Sequence, residues 1–399
     1  MKKIGFVLEG GGARGAYQAG ALKALSENNI TPNVITGTSI GALNGALFAM
    51  GKLERLLELY SDFHMELFFK FDQEVIKEFD LGSATLKDFS QLTWAMFQVM
   101  LQGGVNIDPF KNMIENEIDE KELRSSEIKL GMVTLGIPKI HPLEVYLDQI
   151  PAGKVHEYLL ASAYLPIFKA EERRYVDGWF VDNAPLELLM KKGPFDEIYI
   201  IRSHSGGITR SAWNNEGITL ITPSREVGRT FDLSPDKMQD NLLMGYYDTL
   251  GILKGYQGKK YYFRELPNLK ETLLTPEVLK QLSKQFSMMD HYDYERYFYE
   301  ELLPGLARAL GLGVESNYQD VLLELLETGG YYLKINPNEL YDLSIYLEKL
   351  RMALREKNIE WNIREKVFGG VARYTRGWFG DLEILVLAFL DLMVNSQGR

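Results

Sequence analysis

A serine serves as a nucleophile where a tight turn projects its hydroxyl and a base stands beside it, and Gly37-Thr38-Ser39-Ile40-Gly41 has the form of such a turn. The flanking glycines remove Cβ atoms that would collide with the neighbouring strand and helix, and the helix that follows aims its N-terminal amides toward the serine. The chemistry implied is acyl transfer from an ester to Ser39. A second element of the same chemistry lies upstream. Gly10-Gly11-Gly12-Ala13-Arg14-Gly15 also leads a strand into a helix, and the amides of such a loop can crowd toward a developing oxyanion. The loop matches G-x-G-x-x-G as well, but a dinucleotide site requires an acid at the end of the second strand, where this chain has Ile35, Thr36 and Gly37.

The base is less clearly marked. The five histidines are His64, His141, His156, His204 and His291. In the order serine, acid, histidine, only His204 and His291 follow an acid such as Asp177 or Asp182. His204, beside Ser203, Ser205 and two glycines, has the surroundings of a solvated turn residue, and His291 lies in a tyrosine-rich run typical of surface or helix packing. The other candidate is Asp177 in Tyr175-Val176-Asp177-Gly178-Trp179, an acid at a strand end followed by a glycine that turns the chain away. Taken alone, Asp-Gly is commonly only a turn.

The elements that must carry these groups alternate. Lys3 to Leu8 reads as a buried strand, a helix follows with Ala16, Ala19, Leu22 and Leu25, then a strand over Asn33 to Thr36 and a small-residue helix from Ala42 to Met50. That rhythm predicts an α/β fold with a mainly parallel sheet between helices. Leu53 to Ile118 is mostly helical in pattern and rich in aromatics. Within it, Phe68 and Phe69 are candidates to line an acyl pocket or to form part of a lid. Strands return at Lys129 to Val133, Val145 to Leu147, Tyr175 to Val176 and Glu197 to Ile201. Beyond Pro267 the pattern is helical, broken by Pro304, Pro337 and paired glycines, which predicts domains at 1–266 and 267–399.

Composition removes several function classes. With 46% hydrophobic and 25% charged residues, the 399-residue chain has the balance of a globular protein able to bury a large core. Lys and Arg number 44 against 55 Asp and Glu, a net charge of -11 that argues against a nucleic-acid partner. Cysteine is absent, which excludes disulfides, thiolate metal sites and a thiol nucleophile. No His-Glu-x-x-His motif occurs, so no metal or other cofactor is expected. Lys2-Lys3 followed by Ile4 to Leu8 is too short for a signal peptide. Ile384 to Val394, which contains Asp391, is about half the ~20 residues of a membrane span, so a cytoplasmic location is expected.

The glycine loop, Ser39 in its turn, and Asp177-Gly178 stand in the order and approximate separation of the patatin-like phospholipases, which this chain resembles. Ala161-Ser162-Ala163-Tyr164-Leu165-Pro166-Ile167-Phe168 is similar to the family's segment before its catalytic aspartate, and Asp182-Asn183-Ala184-Pro185 to the Asn-x-Pro after it. The resemblance covers residues 1 to about 203 and continues loosely to about Gly255. It implies a patatin-like three-layer sandwich with a C-terminal helical region of unknown role. It also implies a Ser39–Asp177 dyad acting on acyl esters of lipids through an acyl-enzyme, without a metal. On that template the amides of Gly10, Gly11, Gly12 and Ala13 form the oxyanion hole, and Arg14 orders the loop or meets a lipid phosphate. A lipid or acyl ester is the expected substrate, with peripheral contact at a lipid surface. Trp179 departs from the Gly or Ala that usually follows Asp-Gly, a bulk expected to narrow the pocket or alter substrate choice. A short-chain esterase or thioesterase on the same scaffold, or a partner-binding protein working through its tail, are the alternatives.

Overall fold

The computed structural model describes residues 2–62, 108–136, 141–163, 175–177, 183–204, 216–228, 234–286, 294–313, 315–357 and 382–395. Two compact units divide the chain, Met1–Leu253 and Lys254–Arg399.

The first unit is built on one sheet. Strands β1 (Ile4–Leu8), β2 (Val34–Thr38), β3 (Lys129–Gly136), β4 (His141–Tyr146), β6 (Glu197–Ile201) and β7 (Ile218–Ile221) stand in the order β4-β3-β2-β1-β6-β7, and β5 (Tyr175–Asp177) pairs with β3. The ladders among β1, β2, β3, β6 and β7 are parallel, while β4 and β5 run antiparallel to β3. Short apolar strands buried on both sides are what a parallel sheet between helices requires. Phe6, Leu8, Ile35, Leu130 and Met132 pack into one core with residues of α1 (Gly15–Glu27) and α2 (Ile40–Ala49). The alternating residues Val7, Val34 and Val133 pack on the opposite face, with Leu186, Leu188 and Leu189 of the helix Leu186–Met190. Helix, sheet, helix is a three-layer arrangement.

Around that sheet lie α3 (Leu53–Ser61), α4 (Asp108–Glu117), α5 (Glu120–Ser125), α6 (Val155–Ser162), α7 (Leu186–Met190) and α8 (Pro235–Lys254). Helices α1 and α8 meet backbone to backbone. A Cβ on Gly20 would fall 1.9 Å from the Leu242 carbonyl oxygen, and one on Gly245 would fall 1.9 Å from that of Tyr17. Tyr17 also donates from its hydroxyl to Asp248 across the same contact, at 3.0 Å. Among the described residues, no helix is long and apolar enough to cross a membrane.

The second unit is mainly helical but carries a two-stranded parallel sheet of β8 (Tyr262–Phe263) and β9 (Leu340–Tyr341). Its core gathers Phe263, Tyr341 and Tyr346 with leucines of the helices Tyr318–Tyr332, Leu343–Glu356 and Leu382–Asn395. The boundary expected at 266/267 therefore falls earlier, at 253/254. Tyr262 and Phe263 belong with a partner strand far downstream, which no local pattern reveals.

Glu327 is fully buried in this unit, and one carboxylate oxygen accepts the amides of Lys259, Lys260 and Tyr261 at 2.7, 2.9 and 3.2 Å. The other oxygen has no hydrogen-bond partner among the described residues. Burial pushes this carboxyl above the ordinary glutamate range, and the three amides only partly offset that. A carboxyl whose pKa is raised on folding contributes most when protonated, and loses that contribution as pH rises through the folded value. Glu327→Gln keeps an acceptor for the amides and removes the titration. The melting temperature of this variant is expected to gain on the parent as pH rises from 4 to 8; parallel profiles would refute this.

Candidate active site

Strand β2 ends at Thr38 and α2 begins at Ile40, so Ser39 alone makes the turn, with φ +56° and ψ -127°. A side chain in that region costs about 1–3 kcal/mol and persists only where its surroundings determine it. They do so by close approach: a Cβ on Gly37 would lie 2.5 Å from the carbonyl of Gly41, and one on Gly41 would lie 2.4 Å from the Leu8 oxygen. Ser39 is only 8% exposed, and its amide donates to Ser162 Oγ at 2.9 Å.

Asp177 reaches the same place through strand register. One edge of β3 is filled by β4 from Gly131 to Gly136. On the other edge Val133 pairs with Thr38 of β2, and the next residue, Thr134, pairs with Asp177 of β5. Consecutive strand residues are about 3.3–3.4 Å apart, so the backbone of Asp177 abuts the end of β2, one residue before Ser39.

The glycine loop faces the serine turn. A Cβ on Gly10 would lie 3.4 Å from Ser39 Cβ. Gly10 is clamped: its amide donates to Asn183 O at 2.9 Å, and its carbonyl accepts from Asn183 Nδ2 at 3.2 Å and Ser203 Oγ at 2.7 Å. An amide spent in this way is not available to an oxyanion, which removes Gly10 from the expected set of donors. The amides of Gly11, Gly12 and Ala13, which enter a single 3-10 turn at Gly12–Arg14, meet no acceptor among the described residues. Gly12 has φ +57°, and Gly11 leaves no room for a Cβ, which would fall 2.4 Å from Ser203 Oγ. Arg14 donates from Nε to the Gly228 carbonyl at 3.0 Å, and burial lowers its pKa against the opposing pull of Glu9.

Behind the loop lies an acid that sequence reasoning passed over. Glu9 is 5% exposed; one of its oxygens accepts from the Ser203 amide at 2.7 Å and stands 3.1 Å from His204 Nδ1, while the other is 3.8 Å from Arg202 Nε. Burial raises its pKa, but the contacts to His204, the Ser203 amide and Arg202 outweigh this and hold it below the usual carboxylate range. From the Glu9 carbonyl a buried chain runs through Gln18 to Asn44 and on to Tyr60, joining α1, α2 and α3. Its links from Asn44 to Gln18 and from Tyr60 to Asn44 are 3.0 and 2.9 Å. Burial drives the Tyr60 phenol far above its ordinary range, so it stays a neutral donor. No spacing rule would have identified Glu9, Ser162, Asn183 or Ser203. The local signal for Ser162 and Asn183 was their place in the segments flanking Asp177.

Phe68, Phe69, Gly178, Trp179, Asp182 and His291 lie outside the described residues. Among the described residues, no group of His, Asp and Glu is placed to hold a metal ion. A cavity of about 20 Å³ beside the serine helix, lined by Ile40, Leu43, Leu47, Leu59, Met113 and Ile114, has room for about one water.

Comparison with known proteins adds an independent line. The family model of patatin-like phospholipases matches residues 6–190. The chain is 29% identical over 191 residues to lysophospholipase NTE1 of Mycosarcoma maydis, covering 48% of this chain and 9% of that protein. It is 27% identical over 192 residues to patatin-like phospholipase domain-containing protein 7 of Rattus norvegicus, covering 48% of this chain and 13% of that protein. The chain thus spans a small part of the length of these curated relatives. Among solved structures, VipD from Legionella pneumophila is similar with a TM-score of 0.38 at 14% identity, over 98% of this chain and 91% of that one.

Two outcomes follow from the turn and the loop. Ser39→Gly relieves the positive φ and is expected to raise the melting temperature by about 2–4 °C, the shift for about 1 kcal/mol in a unit of this size. A lower melting temperature would mean that the serine backbone is not strained. Gly11→Ala is expected to lower the rate of ester hydrolysis by about 10²-fold by displacing the loop amides. Adding Ser203→Gly, which clears the colliding atoms, should restore part of that rate, and no restoration would break the link between loop and site.

Proposed function

Residues 6–190 belong to the patatin-like phospholipase family, and from that premise we propose that the chain hydrolyses acyl esters of lipids through a Ser39–Asp177 dyad. The observation that supports this most strongly is the backbone of Ser39, held at φ +56° between a buried strand and a helix N-terminus. Such a turn lowers stability, and it presents one hydroxyl at the end of the sheet.

In this reading Ser39 Oγ attacks the ester carbonyl while its proton passes to the Asp177 carboxylate. The carbonyl oxygen, now negative, accepts from the amides of Gly11, Gly12 and Ala13. Collapse of the tetrahedral intermediate expels the alcohol, which takes the proton from Asp177 and leaves the acyl group on Ser39. Water then attacks the acyl-enzyme, its proton again going to Asp177, and the carboxylic acid departs with Ser39 Oγ reprotonated. The lysophospholipase and phospholipase names of the relatives favour a lipid ester as substrate.

A second reading has one observation in its favour. His204 Nδ1 is 3.1 Å from Glu9, the pairing that orients a histidine base in a serine triad. The two readings separate in one experiment. Asp177→Asn is expected to lower kcat for a p-nitrophenyl acyl ester by at least about 10²-fold, because an amide cannot take the serine proton. His204→Gln should leave most of the activity, and Ser39→Ala should abolish both hydrolysis and labelling by a fluorophosphonate. A His204→Gln variant as inactive as Ser39→Ala would transfer the role of base to His204.

A further inference from the structure

Ser162, the last residue of α6, is fully buried and makes two hydrogen bonds through one oxygen. Its hydroxyl accepts from the Ser39 amide at 2.9 Å and donates to the Val133 carbonyl at 2.7 Å. Val133 is the β3 residue paired with Thr38 of β2, and its successor Thr134 is paired with Asp177 of β5. The Ser162 hydroxyl therefore sits at the junction where one edge of β3 passes from the strand leading into Ser39 to the strand ending at Asp177.

We propose that Ser162 is a positioning residue that sets the Ser39 turn in register with the strand carrying Asp177. The proposal rests on the dyad reading above and adds a part to it. A parallel ladder normally continues by backbone pairing, but beyond Thr38 the chain must turn away into α2 with positive φ, and the Ser39 amide leaves the ladder. A buried amide needs an acceptor, and a buried carbonyl beside it needs a donor. A hydroxyl supplies both at one point, which neither an alanine nor a backbone group can do. Because the two bonds share an atom, any shift of the turn relative to β3 must break or bend one of them. Ser162 touches no reacting atom in this arrangement. Its effect on the reaction passes through Ser39.

The test is a double-mutant cycle on the full chain, read by kcat and KM for a p-nitrophenyl acyl ester and by the rate of fluorophosphonate labelling at Ser39. Ser162→Ala is expected to lower kcat and the labelling rate by about 10- to 100-fold, the scale of a displacement of about 1 Å, with KM nearly unchanged. Ser162→Thr, which keeps the hydroxyl, should recover most of the loss. In an Asp177→Asn background, Ser162→Ala should cost little more, because the alignment it maintains no longer serves a base. Parent-like kcat and labelling in Ser162→Ala, a rise in KM instead of a fall in kcat, or a full additive loss in the double variant would each overturn the proposal. An Asp177→Asn variant with parent-like kcat would overturn the dyad itself and is recognised separately from these. If Ser162→Ala melts below the assay temperature, Ser162→Cys replaces it, since a thiol of similar size is a weaker donor and acceptor and should give a smaller loss of the same kind.

Discussion

Strand β3 offers two edges, and pairing with β4 along one leaves the other to be shared. Residues Lys129 to Val133 take β2 in parallel, and Thr134 to Gly136 take β5 antiparallel, so two strands of opposite direction meet end to end. At that meeting point the end of β2 and the end of β5, which lie far apart in the chain, become neighbours. Ser39 and Asp177 are the pair the junction selects. A turn out of β2 is also obligatory there, because β5 occupies the path β2 would otherwise follow. The serine turn is thus partly a consequence of sheet pairing.

The same crowding explains why the surroundings are polar although buried. Glu9 follows the central strand β1 directly, where a charge in an apolar core would be expensive. It is tolerated because the Ser203 amide, His204 and Arg202 converge on it. Gln18, Asn44 and Tyr60 then extend the hydrogen bonding across three helices, so the loop and the serine helix are joined by side chains as well as by packing. In a low-dielectric interior such a connected network favours one arrangement over its neighbours.

Much of this was legible in the sequence. Strands β1 and β6 and the helices after the two glycine turns follow local rules, since apolar runs and small residues at helix starts reflect the same close contacts seen here. Four-residue β7 has too little pattern to stand out, and the apolar signal at Val145 to Leu147 marks only the end of β4. Asp177 carried a weak local signal, an acid before glycine, and only strand pairing gives it a neighbour. Glu9 looked like an ordinary residue before three glycines; its partners Arg202, Ser203 and His204 arrive almost two hundred residues later. Locally Gly10 is indistinguishable from its neighbours as an oxyanion donor, and its commitment to Asn183 depends on a segment far along the chain.

The backbone contact between α1 and α8 has a mechanical consequence for the loop. With Gly20 against Leu242 and Gly245 against Tyr17, neither helix can roll or slide along the other without a steric collision between main chains. Helix α1 carries the glycine loop at its N-terminal end, and it is in effect bolted to α8. Any movement of the glycine loop relative to α1 must then pivot within the few residues between Leu8 and Gly15, where Gly10, Gly11 and Gly12 supply the torsional freedom and Gly10 is already pinned. The span free to swing is reduced to two or three peptide units.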